Sequence, residues 1–265
     1  MSRGAPPLLP ERVDGRGRLI AELVIVLGLS LGQSAVYSVV AIINRATREQ
    51  PLSQQTATLN PTLDSREVFD LIYQLLDIAF GLMPVALVCW LLWSTARPHL
   101  GRLGLAFDRP ARDAGWGALL ALAIGAGGIV VYLGGRALGL TVAVNPAGLD
   151  AHWWTVPVLL LAAARAGIVE EVIMVGYLFE RLRRLGWGTW PIILLSATLR
   201  GAYHLYQGWG SFVGNFLMGI VFGWIAARWG RVLPLVVAHF LIDAVVFVGY
   251  PFAAAAWPAL FGLPG

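Results

Sequence analysis

Long apolar blocks run the length of this chain, and polar residues gather in the gaps between them. Residues 19–43, 68–93, 114–134, 155–180, 189–206, 211–228 and 232–250 each form such a block. A bilayer core is crossed by a helix of ~20 mostly apolar residues, so the pattern predicts an all-α bundle of seven transmembrane helices. The blocks are longer than strands and lack two-residue alternation, so no strand is expected. Residues 1–18 read as a polar tail, 44–66 as a polar loop, 94–113 as a basic loop and 135–150 as a loop. Gly125, Gly127 and Gly128 are close-packing positions in the third span, and Trp153 and Trp154 mark an interface. The tail 251–265 holds Trp257 and three prolines; it lies in the interface or forms a short eighth helix.

Composition agrees with the pattern. Of 265 residues, 58% are hydrophobic and 13% charged, against about 25% charged in a soluble domain; mean hydropathy is +0.71. All 19 basic residues are Arg, and the net charge is +4. They are spread over short loops and form no single face, which argues against a nucleic-acid partner and for the positive-inside rule. Arg3, Arg12, Arg16 and Arg18, the 94–113 loop, the 181–184 cluster and Arg228/Arg231 fall on one side. The other side has Arg45, Arg48, Arg66 and Arg136. The N-terminal tail is therefore expected in the cytoplasm and the C-terminus outside, in a multi-pass protein of the cell membrane. Residues 1–18 are too polar for a cleavable signal peptide. The single cysteine, Cys89, rules out a disulfide within the chain.

Polar residues inside the apolar blocks are the candidate chemistry. Glu170 and Glu171 sit in the fourth, Arg200 and His204 in the fifth, His239 and Asp243 in the seventh. A charge at mid-bilayer costs roughly 2.5–3.5 kcal/mol even on lenient scales, so such residues face protein or water and mark function. At 1.5 Å per residue Glu170 lies ~16 Å from Arg181, His239 ~12 Å and Asp243 ~18 Å from Arg231, and His204 ~22 Å from Thr189. These depths overlap. Arg200 with His204, and His239 with Asp243, are each four apart and share a helix face. Glu170 and Glu171 differ by ~100° around the helix, so one is expected to face a cavity and the other to brace it. A buried carboxylate beside a histidine is a general base for water. Arg165 is a candidate partner for the glutamates, and Asp77 is left outside the site.

In order, Glu170-Glu171-Val-Ile-Met-Val175-Gly176, then Arg200-Gly-Ala-Tyr-His204, then His239-Phe-Leu-Ile-Asp243 resemble the motifs of the CPBP family. These are the CAAX-processing endopeptidases and bacteriocin self-immunity (Abi) proteins, with patterns EExxxR, FxxxH and HxxxN. The resemblance covers residues 155–248, which makes that stretch the expected catalytic core of a transmembrane domain over 19–250. It implies an intramembrane endopeptidase acting on a peptide or protein substrate at the lipid bilayer. Glu170 and His204 would activate water, His239 and position 243 would stabilise the oxyanion, and Glu171 would brace the site. Three departures matter. Val175 replaces the Arg of the first motif and Arg200 the Phe of the second, so Arg200 is expected to supply the missing guanidinium from the neighbouring helix. Asp243 replaces Asn, and an ionised Asp cannot donate to an oxyanion. No cofactor is expected. Glu170, His204, His239 and Asp243 leave a divalent metal such as zinc open, although no His-Glu-x-x-His motif is present. The rival readings are a non-catalytic scaffold or immunity protein and a proton-coupled transporter.

Overall fold

A computed structural model describes residues 15–256. Ten α-helices are present among them: α1 (Arg16–Gly28), α2 (Leu31–Ala46), α3 (Glu67–Gly81), α4 (Met83–Leu91), α5 (Pro110–Ala137), α6 (Thr155–Glu170), α7 (Leu178–Arg184), α8 (Thr189–Tyr203), α9 (Trp209–Trp229) and α10 (Leu233–Ala256). The predicted first span is two helices bent by 56°, broken at Leu29 and Ser30. The second is a near-continuous pair, α3 and α4, with Pro84 in the first turn of α4, where a missing N–H costs nothing. The predicted tail boundary at 250 also moves, because α10 continues through Pro251 to Ala256. Most of the tail, 257–265, lies outside the described residues, as do residues 1–14.

Among the described residues, four helices are long and apolar enough to cross a membrane, five when the bent pair counts as one span. The expected count of seven or eight is not reached on length and composition, for two physical reasons. The helix that includes α6 carries Arg165, Glu170 and Glu171, and α8 has 15 residues, which at 1.5 Å each reach only ~22 Å. The apolar windows of α3–α4 and α5 are 11% and 6% buried. So much exposed apolar surface suits lipid and not water; this is an all-α, multi-pass membrane fold.

One expectation is overturned in the loops. β1 (Thr56–Thr58) pairs in parallel with β2 (Ala143–Asn145), Thr56 opposite Ala143 and Thr58 opposite Asn145. Three-residue strands are too short for alternation to register, and their pairing is nonlocal. Bridges Pro61–Gly148 and Thr141–Gly208 extend the contact, and Arg136 Nη1 donates to the Ser53 carbonyl at 2.7 Å. The loops 47–66, 138–154 and 204–208 are thus joined at one end of the bundle. At the other end Arg231 pairs with Asp108 at 2.9 Å and with Asp113, and Val232 N–H donates to the Gly104 carbonyl at 2.9 Å. The hydrogen bond from Arg231 holds the Asp108 carboxyl below its usual range.

α6 packs on α10, and α8 on α9 and α2. Glycine sets two of these approaches. A Cβ on Gly167 would lie 3.0 Å from the Phe240 nitrogen and 3.5 Å from the His239 Cβ, and one on Gly219 would lie 2.8 Å from the Ala197 Cα. Both backbones therefore come close beside the residues that carry His239 and Arg200. At the far end of the same long helix, buried Arg181 donates to Glu22 of α1 at 2.6 Å. Glu22→Ala would leave that guanidinium buried without its partner. The expected loss is about 3–5 kcal/mol, read as a lower midpoint in detergent unfolding.

Candidate active site

The site is built on a break in helical geometry. α6 ends at Glu170, and Glu171–Tyr177 continue as a π-helix before α7. Its i→i+5 bonding widens the turn, a feature frequent at functional sites. All seven residues are buried, and Ser196 Oγ on α8 donates to the Met174 carbonyl at 3.0 Å. The wider turn rotates less per residue, and both glutamates have long side chains. Glu170 and Glu171 accordingly converge, where strict helical spacing predicts that only one faces the cavity.

Arg200 is completely buried and bridges the two acids. Its Nη1 lies 3.4 Å from Glu170 Oε2 and its Nη2 2.8 Å from Glu171 Oε2. The expected guanidinium from α8 is therefore in place, reaching both acids. Phe222 of α9 lies under it, 5.7 Å from ring centroid to Cζ. Arg165, the other candidate, instead pairs with Asp77 of α3 at 3.3 Å. Five residues before Glu170 on a regular helix is ~140° around the axis, so Arg165 points away from the glutamates and toward α3. Asp77, left out of the site on sequence, is indeed outside it.

The histidines arrive from two further helices. His239 Nδ1 is 2.7 Å from Glu171 Oε1, and its Nε2 is 4.0 Å from Glu170 Oε2 and 3.5 Å from Asp243 Oδ2. His204, the residue after the last turn of α8, puts Nε2 4.0 Å from Glu170 Oε2. Both ring nitrogens of His204 are buried and, among the described residues, have no hydrogen-bond partner. All six predicted residues thus meet in one cluster. One member was missed: the Tyr203 hydroxyl donates to Glu170 Oε2 at 2.7 Å. In the sequence it stands inside the second motif, beside His204. Its position three residues after Arg200 puts it on the same helix face.

The metal question turns on charge. Glu170, Glu171 and His239 offer donor atoms within 4.8 Å of one another. The buried Arg200 guanidinium already engages both carboxylates, so a divalent ion would sit beside a fixed positive charge. His239 Nδ1 is also committed to Glu171. Both features disfavour a divalent ion among these three donors.

Chemically, the cluster offers a carboxylate held in a fixed place, an imidazole with free nitrogens, and a second imidazole backed by a carboxylate. Residues 152–245 match the model of a protein family described as Rce1-like, type II CAAX prenyl endopeptidase Rce1-like. This is the same CAAX-protease group that the three motifs resemble, and the match spans the helices that carry every residue of the cluster. No curated protein and no solved structure matches the chain.

Proposed function

We propose, starting from that match and from the cluster on α6, α8 and α10, that this chain is an intramembrane endopeptidase hydrolysing a peptide bond of a membrane-associated substrate. One observation carries the reading. Glu170 Oε2 and His204 Nε2 stand 4.0 Å apart with both His204 nitrogens unpaired, too far for a direct hydrogen bond and suited to a shared water. Glu170 takes a proton from that water as its oxygen bonds to the scissile carbonyl carbon. The carbonyl oxygen becomes an oxyanion, and the proton passes to the leaving amine as the C–N bond breaks. His204 orients the water.

With its Nδ1–H given to Glu171, His239 has an Nε2–H only as the imidazolium. The Glu171 carboxylate supports that charge, and Nε2–H faces the oxyanion. Asp243 aims His239 in place of the amide that the family pattern has there. Arg200 keeps the two glutamates side by side. No step requires a metal, and the expected result with a chelator follows: excess EDTA leaves the initial rate within about twofold, where a metal-activated water would be lost.

The same reading gives the chain seven crossings with its N-terminus in the cytoplasm. The two clusters of joined loops at opposite ends of the bundle support alternating passage, with the helix from Thr155 to Arg184 and α8 as the crossings that length and composition miss. Arg165, Glu170, Glu171 and Arg181 of the first are turned onto Asp77, Arg200 and Glu22, so lipid need not solvate them.

The test uses the full chain in proteoliposomes with a library of quenched fluorescent peptides bearing apolar anchors, fragments being identified by mass spectrometry. Cleavage by the wild type and its loss in His204→Ala, with insertion unchanged, is the expected result. A His204→Ala protein that cleaves at the wild-type rate overturns the reading, and so does a wild type inert toward the whole library.

A further inference from the structure

We propose that Tyr203 is a positioning residue which clamps Glu170 Oε2 and thereby fixes that oxygen against the water it shares with His204. The proposal rests on the hydrolytic reading above. The hydrogen bonds of the Glu170 carboxylate to described residues fall on Oε2, from Tyr203 at 2.7 Å and Arg200 at 3.4 Å, and His204 and His239 Nε2 stand 4.0 Å from the same oxygen. Of these four, only the tyrosine hydroxyl is at the distance of a strong hydrogen bond, since O–H···O bonds centre near 2.7–2.8 Å and N–H···O bonds weaken beyond about 3.2 Å. The guanidinium gives its short bond to Glu171 instead. Arg200 supplies charge to both acids, and Tyr203 supplies direction to one.

Tyr203 is itself held. It is 5% exposed, and its ring tilts at 47° against that of His204, with centroids 4.9 Å apart. Its carbonyl accepts a hydrogen bond from Ser38 Oγ of α2 at 2.8 Å. The hydroxyl therefore has a fixed origin, set by the end of α8 and by α2. The same helix end places His204. The base and the imidazole that share the water are thus indexed to each other through adjacent residues.

Full-length Tyr203→Phe in proteoliposomes, assayed on the best-cleaved library peptide, tests this. Losing one hydrogen bond to a charged group is expected to lower kcat about tenfold to a hundredfold, with KM, insertion and melting temperature unchanged. A kcat within about twofold of wild type overturns the proposal. A parallel fall of kcat and melting temperature does so as well, because it marks a merely structural role. Should the Tyr203→Phe protein not accumulate, 3,5-difluorotyrosine at position 203 keeps the ring and alters only the hydroxyl's strength as a donor. A changed kcat at constant KM then supports the clamp, and an unchanged kcat overturns it. Cleavage that needs Glu170 but ignores both changes at 203 refutes the clamp alone. Absence of any Glu170-dependent cleavage refutes the hydrolytic reading and the clamp together.

Discussion

Glu170→Gln is expected to reduce cleavage by about 10²–10⁴-fold, the range of a positioned general base, while the protein still inserts and accumulates. The amide nearly matches the carboxylate in shape and keeps an oxygen that can accept from Tyr203. What it loses is the ability to take a proton from water. Single-turnover rates in proteoliposomes with matched amounts of inserted protein measure this. A Glu170→Gln protein that turns over at the wild-type rate would remove Glu170 from the chemistry. The fold has little reason to object to the change, because Glu170 is the more exposed of the two acids, with 11% of its side chain accessible against none for Glu171.

Arg200→Leu is expected to act on both activity and folding. Arg200 is the cation that faces Glu170 and Glu171 at 3.4 and 2.8 Å, and all three are buried. Leucine fills part of the same space and leaves two carboxylates without their guanidinium. Removing one partner of a buried ion pair costs about 3–5 kcal/mol. Lower abundance, a lower detergent melting temperature and loss of cleavage should appear together. An Arg200→Leu protein with wild-type abundance and rate would show that the glutamates do not depend on the guanidinium. The contrast between Glu170→Gln and Arg200→Leu separates chemistry from support, since the first spares the melting temperature and the second does not.

Much of the cluster was legible in the chain because lipid makes polar residues conspicuous. Glu170, Glu171, Arg200, His204, His239 and Asp243 each interrupt an apolar run, and helical rise alone put them at similar depths. That Arg200 supplies the positive charge absent at Val175 was legible too, because a deeply buried Arg and two buried acids need one another. Tyr203 was not recovered, since tyrosine in a membrane helix is commonplace near interfaces and its hydroxyl has meaning only once Glu170 is opposite. The partner of Arg165 was misjudged by weighing nearness along the chain over angle around the helix. The paired strands at Thr56–Thr58 and Ala143–Asn145 and the bend after Gly28 depend on distant contacts, to which hydropathy is blind. The crossing count depends on how much charge a helix can hide, and that is decided by its neighbours.

The π-helical stretch has a consequence for how one long helix serves two masters. On an unbroken α-helix, Arg181 would stand eleven residues after Glu170 at only ~20° from it around the axis, facing the same way. The widened stretch from Glu171 to Tyr177 dials the lower half to a different bearing, where Arg181 meets Glu22 of α1. The upper half keeps its own bearing onto α10. Aim and anchorage therefore sit on separate bearings of one helix, Glu170 toward α8 and α10 and Arg181 toward α1.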